Sequence, residues 1–391
     1  MLPPIPLKYL LPLVGLSVSA FVFNTSEFMP IGLLTDISAS FGMTPAATGI
    51  MITVYAWVVG VLSLPLMLAT CRMELKRLLL LTMALFALGQ AGSGLAVNFP
   101  MLMGARILVA CAHSIFWSIA APLATRLVTR SHQPFALSMI ATGSSVAMIF
   151  GLPLGRVIGL ALGWRMTFLV LAITSALALL YLWRVFPSLT NDSSFSMRNL
   201  PALMRNPLVS GVFVLSLLFA TAYFTTYSYI EPFLGSIAGF APETITWTLM
   251  MLGVCGFLGS VLFSRFYGHH RFLLFRSGLL GLVLALGCFL PSAAQQPAMI
   301  ACCMLLGVIS TLFNVTMQAE LIRHCSLSAA PVAMSIFSGI FNVGIGGGTF
   351  LGGRLTGSGL LPDIGFVGAA IGACALLFGL VSYLPHARRA R

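Results

Sequence analysis

The chain alternates between apolar runs of about twenty residues and short polar breaks. A run of that length can carry a helix across the core of a bilayer. Twelve are read, at about 9–34, 45–69, 77–97, 101–124, 134–158, 164–187, 207–233, 243–264, 272–290, 297–320, 331–353 and 362–385. The breaks have their own chemistry. "SFGMTP", "VNFP" and "GFAPE" carry Gly, Pro or Asn and read as turns, whereas "TCRMELKR" and "TRSHQ" are charged connectors. The longest polar stretch, "PSLTNDSSFSMRNLPALMRNP" at 187–207, separates two groups of six runs. The pattern predicts an all-α membrane protein of twelve transmembrane helices. A six-helix bundle is expected over 1–187, a linker over 188–206 and a second six-helix bundle over 207–391. The opening "MLPPIPLKYLLPLVGLSVSAFVF" continues to Leu34 without a small-residue cleavage pattern, so it reads as the first span and not as a signal peptide.

Composition supports this reading. Of 391 residues 59% are hydrophobic and 7% charged, where soluble domains carry roughly a quarter charged residues. The net charge of +12 raises a nucleic-acid partner, but the placement of the charges argues against it. Sixteen of the twenty Lys and Arg fall in connectors on one side, among them Lys8, Arg72, Lys76 and Arg77. Only Arg156, Arg165 and Arg354 fall on the other, and Arg106 lies inside a span. The positive-inside rule then puts both termini and the linker in the cytoplasm. A bacterial inner membrane is the expected setting. Eight cysteines are present; six lie in spans, Cys71 and Cys325 lie at helix ends, and there is no CxxC. They read as small packing residues, and neither metal nor cofactor is expected.

Of the eight acids, only Glu27 and Glu231 fall well inside predicted spans. An ionisable group there is costly unless paired, hydrated or protonated, so it marks a pathway or a proton relay. For both the alternative is a structural hydrogen bond near the outer interface. Pro232 follows Glu231 directly, so that acid can equally cap a broken helix end. In the fourth span Arg106, Ala110, His113 and Trp117 recur at steps of four, three and four, on one helical face. Two readings stay open there: His113 relays protons or binds substrate in a cavity, or it is a satisfied core histidine while Arg106 locks helices together. In the fifth span Gly143, Gly151, Gly155 and Gly159 share a face, with Pro153 among them and Arg156 close behind. This fits close packing, a bending gate, or both. Asn24, Tyr55, Ser144, Ser145, Tyr227, Asn314, Gln318 and Asn342 are further polar groups within spans. With Trp117 they suit a neutral polar ligand such as a sugar; singly, each can also be glue between helices.

The two halves echo each other. Glu27 in "NTSEFMP" and Glu231 in "YSYIEPF" stand near the outer ends of the first helices of their halves, 204 residues apart. "ALSM" before "GLPLGR" in the fifth span resembles "AMSI" before "LGGR" in the eleventh. A duplication of six spans is expected, with the binding site between the halves. The sequence has no GxxxxGK[ST], HExxH, GxSxG or TVGYG, which counts against an ATPase, a membrane hydrolase and a potassium-type channel. The chain is not expected to be an enzyme.

Together "FNTSEFMPIGLL", "VYAWVVG", "ARILVACAHSIFWSI", "IATGSSVAMIFGLPLGR", "GWRMTF", "YSYIEPF" and "FSGIFNVGIGGG" resemble the major facilitator superfamily, and within its drug/proton antiporter group the bacterial sugar efflux transporters. The likeness covers nearly the whole chain. It implies two pseudo-symmetric bundles, a gating role for Arg106 and for the glycine-proline stretch Gly151, Pro153, Gly155 and Arg156, and proton-driven export of sugars or sugar-like compounds with some drugs. The working form implied is a monomer in a lipid bilayer. One departure is plain: the family's Gly-x-x-x-Asp-Arg-x-Gly-Arg-Arg pattern between spans 2 and 3 is replaced by "LATCRMELKR", where only Lys76 and Arg77 survive. Proton coupling through Glu27, His113 and Glu231 is the expectation. Its rivals are an uncoupled facilitator or importer of the same fold, and a membrane sensor or enzyme.

Overall fold

The computed structural model describes residues 6–70, 72–129, 132–189, 204–325 and 330–389. Cys71 and most of the expected linker, residues 190–203, lie outside the described residues. Among those described there is no strand. Eleven helices are long and apolar enough to cross a membrane. Ten match single predicted runs, from Leu7–Ser40 to Leu361–Arg389. The eleventh, Pro242–Gly287, has 46 residues, about 69 Å at 1.5 Å per residue against a hydrocarbon core of about 30 Å. It bends at His270, whose φ of −129° and ψ of 34° leave the helical region. The eighth and ninth spans are therefore joined through a kink without an intervening loop, and the fold has twelve spans. Apolar side chains such as Leu88, Leu177, Leu284 and Val381 stand exposed along them, as lipid contact requires.

Helix breaks follow proline. The first span is helical over Leu7–Phe28, tightens into a 3-10 turn over Met29–Leu33 around Pro30, and resumes over Leu34–Ser40. In the fifth span a wide π turn, Ala147–Gly151, precedes Pro153. In the twelfth a second π turn, Gly379–Tyr383, precedes Pro385 at the same spacing. Proline lacks the N–H that would bond the carbonyl four residues earlier, and the wider turn takes up that defect. The bend expected at Pro153 therefore lies one turn ahead of it.

The contacts divide the chain into two compact units. Unit 1 holds residues 1–33 and 61–194; unit 2 holds 34–60 and 195–391. The boundary differs from a simple cut at the linker, because the end of the first span and the first part of the second pack with the second half of the chain. Within unit 1 the third span packs on the fourth and sixth, and the first on the fifth and sixth. Unit 2 repeats this: the ninth packs on the tenth and twelfth, and the seventh on the eleventh and twelfth.

One end of unit 2 is tied by a charged cluster that sequence patterning did not single out. Glu320, 3% exposed, accepts from the Tyr267 hydroxyl at Oε1 (2.8 Å) and the Tyr383 hydroxyl at Oε2 (3.1 Å). Arg271 Nη1 and His324 Nε2 lie 3.5 and 3.4 Å from Oε2. One carboxylate thus joins the eighth, ninth, tenth and twelfth spans. Removing it strands a buried guanidinium, so Glu320→Ala is expected to cost about 3–5 kcal/mol, read as a lowered thermal midpoint in detergent. At the other end of unit 2, the Ala46 Cβ is 3.4 Å from where a Cβ at Gly357 would stand, close to the ~3.8 Å of a disulfide. The double substitution Ala46→Cys and Gly357→Cys is expected to crosslink on mild oxidation. Peptide mass spectrometry checks it; two free thiols at these positions would contradict the packing of 34–60 described here.

Candidate functional site

The site in unit 1 is built where the first span leaves its helix. Ser26 and Glu27 occupy the last turn before the 3-10 segment, where carbonyls lose their helical partners. Arg106, reaching from the fourth span, donates from Nη2 to the Ser26 carbonyl (3.0 Å) and from Nη1 to the Ser26 hydroxyl (3.0 Å). Gln90 of the third span donates to the same hydroxyl through Nε2. Arg106 also lies over the Phe168 ring at 5.7 Å. Its side chain is 2% exposed, so this is a lock between the first, third, fourth and sixth spans.

The carboxylate and imidazole meet beside that lock. Glu27 Oε2 is 3.7 Å from His113 Nε2, with side chains 10% and 3% exposed. The Arg106 guanidinium acts electrostatically on both. On the fourth span Arg106, Ala110 and His113 are buried and Trp117 is half-buried. Aromatic rings wall the pair. Phe23 stands edge-on to His113 at 5.9 Å, Trp117 lies 6.2 Å from it, and Phe23 stacks on Phe116 at 4.3 Å. At 3.7 Å the acid and imidazole are one small side-chain shift from a hydrogen bond, so either can hold a shared proton. The guanidinium would balance the carboxylate in its ionised form.

The fifth span supports the same place. Gly151 packs on Thr25 and Gly155 on Met29, closer than a side chain would permit. Arg156, 2% exposed, donates from Nη1 to the carbonyl of Gly32 in the 3-10 turn, and Thr167 donates to the Gly155 carbonyl (3.1 Å). Pro153 is buried between them. The glycine-proline stretch therefore grips the end of the first span just past Glu27.

The other candidates fall in both units. Asn24 and Ser144 are half-buried, and Ser145 is exposed. In unit 2, Tyr55 is buried, Asn342 donates back to the Ser338 carbonyl (3.0 Å), and Gln318 donates to Asn314 one turn away. Tyr227 stacks on Tyr223 at 5.0 Å. Gln90, Ser26 and Tyr223 were not singled out from sequence. Gln90 could have been, as the single amide in an otherwise apolar third span; a serine beside Glu27 carries no such signal.

The expected pairing of Glu27 with Glu231 as a duplicated position does not hold. The stacked pair Phe23–Phe116 has a counterpart in Phe219–Phe313, at 4.1 Å. Phe219 lies 196 positions after Phe23, and Phe313 lies 197 after Phe116. The glycine contacts shift likewise: Gly348 packs on Thr221 and Gly352 on Thr225, as Gly151 does on Thr25 and Gly155 on Met29. On this register Glu27 corresponds to Tyr223 and His113 to Ser310, and Tyr223 does face Ser310. Glu231 corresponds to Thr35. Counting from matching letters failed because both acids happen to lie near span ends, whereas the packing fixes the register.

The chain matches the family described as Major Facilitator Superfamily over residues 16–349. Among solved structures it is similar to a bacterial homolog of the human lysosomal transporter Spinster in an inward-facing and occupied conformation, with a TM-score of 0.76 and 15% identity, covering 95% of this chain and 96% of that one. It is similar too to a single-site variant of the nucleoside transporter NupG, with a TM-score of 0.76 and 13% identity, covering 95% and 100%. At these identities the likeness shows the fold. The twelve-span architecture, a membrane transporter of small molecules and not an enzyme, and the match over most of the sequence agree: the chain belongs to the major facilitator superfamily.

Proposed function

We propose that the protein exports sugars or sugar-like small molecules, with some drugs, across the bacterial inner membrane in exchange for protons. It works as a monomer by alternating access, with both termini in the cytoplasm and with no cofactor beyond the proton gradient. One observation carries this reading: a carboxylate and an imidazole 3.7 Å apart, buried beside a guanidinium within the spans. A group that must be hydrated, paired or protonated to stay in a membrane marks a proton path. The fixed positive charge of Arg106 lets Glu27 release its proton without leaving an uncompensated anion, and His113 gives the proton a second seat. The register supports one such path per chain, since the matching positions in the other half are Tyr223 and Ser310, hydroxyls that hydrogen-bond without titrating near neutrality. Hydroxyl, amide and aromatic side chains at Asn24, Tyr55, Trp117, Tyr227, Asn314, Gln318 and Asn342 support a polar, uncharged substrate with apolar faces.

Sugar export in proteoliposomes with an imposed pH gradient tests this. Glu27→Gln is expected to lose proton-driven export by at least about tenfold, the cost of ~1.4 kcal/mol in coupling, while substrate–substrate exchange without a gradient persists. Wild-type export by Glu27→Gln, or export by the native chain that ignores the gradient, would favour an uncoupled facilitator. His113→Gln keeps hydrogen-bonding atoms but cannot take up a proton. It is expected to slow proton-driven export, read as a lower initial rate at a fixed pH gradient.

A further inference from the structure

Glu231 has no place in that proton path. It is the second residue of the helix Ile230–Ser236, just past a break at Tyr229 where φ is −117° and ψ 20°. Its side chain is 5% exposed. A single oxygen, Oε2, accepts from the Thr35 amide N–H (3.2 Å) and from the Thr35 hydroxyl (2.6 Å). Thr35 is the second residue of the segment Leu34–Ser40, which lies in unit 2 although it continues the first span.

The contact opens a longer seam inside unit 2. The Tyr229 hydroxyl sits between Gly49 and Gly353, Ala46 meets Gly357, and Trp57 lies on Gly346. The seam ends at Gly60 and Gly339, whose backbones pack against each other with no room for a side chain at Gly60. From Val61 onward the second span belongs to unit 1. Residues 34–60 are thus fastened at one end by a carboxylate and at the other by a glycine crossing.

Thr35 and Glu231 occupy equivalent positions of the two repeats, 196 apart. Two glutamates there would repel and two threonines would offer no charge-assisted bond. One donor-rich and one acceptor residue complete each other. We propose that Glu231 is the latch that holds the outer gate closed: it clamps residues 34–60 onto the seventh and eleventh spans, and outward opening requires Thr35 to leave it. The word "outer" follows the orientation proposed above; the latch itself stands on the contacts.

Glutamine separates a latch from a carrier. Its amide oxygen can accept both Thr35 hydrogens but carries no titratable proton. Hydrogen exchange of the full-length protein in lipid nanodiscs, read on peptides covering residues 34–53 and 349–358, reports seam opening. Glu231→Ala is expected to speed exchange in both peptides by about tenfold or more, and Thr35→Val by about threefold. The double variant should go no further than Glu231→Ala, because the two residues share one interaction. Glu231→Gln keeps the acceptor but loses its charge, so it should exchange faster than the native chain and more slowly than Glu231→Ala, while keeping proton-driven export. Unchanged exchange in Glu231→Ala overturns the proposal. So does loss of proton drive in Glu231→Gln, which would make Glu231 a carrier. Should Glu231→Ala fail to fold, unchanged exchange in Thr35→Val overturns it. Failure of the Glu27 prediction would leave the exchange result standing, so the two readings fall separately.

Discussion

Inside a bilayer no water is available to a backbone amide or carbonyl, so each must find its partner within the protein. The arrangement of functional side chains here follows from that constraint. The first span breaks around Pro30, and the groups freed near the break are answered from elsewhere. Arg106 takes the Ser26 carbonyl, Arg156 takes the Gly32 carbonyl, and Glu231 takes the Thr35 N–H. The pattern recurs at other helix ends: Arg165 donates to Ala96, and Asn206 to His324. Ahead of Pro153 and Pro385 the helix widens instead. Several of the charges inside this protein are therefore also the caps of its broken helices.

This links stability to transport. A helix end held by its own hydrogen bonds cannot move cheaply, whereas one held by a side chain from another span can be released when that side chain is displaced or changes charge. The first span carries three such holds within ten residues, from Ser26 to Thr35, and Glu27 lies among them. On the proposed function, a proton arriving on Glu27 would change the balance around Arg106, which holds the same turn through Ser26. The Glu320 cluster differs in kind. Its carboxylate gathers two phenols, a guanidinium and an imidazole, enough partners to keep the charge in place and to tie four spans into one body.

The repeat matters in the same way. Both units use the aromatic stack between their first and fourth spans and the glycine contacts between their first and fifth, so the scaffold is shared. Chemistry is placed where the copies differ: Glu27 and His113 against Tyr223 and Ser310, Thr35 against Glu231. A duplicated fold can divide its tasks this way, because the packing that both halves need tolerates different polar residues at equivalent positions.

Much of the architecture was legible in the chain. Twelve spans, their approximate ends, the face of the fourth span and the stress at Glu27 all follow from residue-by-residue transfer cost and helical periodicity, which are local properties. The connector between the eighth and ninth spans was not legible as helix, since "RFYGHHRF" reads as a charged break, whereas the helix runs on to a kink at His270. Ser26 and Thr35 were invisible because a hydroxyl gains its meaning from the charge that reaches it, and Arg106 and Glu231 reach across 80 and 196 residues of sequence. The assignment of residues 34–60 to unit 2 and the register of the repeat were likewise decided by packing. Sequence determined which segments must leave water and which charges must be answered there. Only the tertiary structure decided by what, because hydrogen bonds and close contacts depend on distances in space that chain order does not contain.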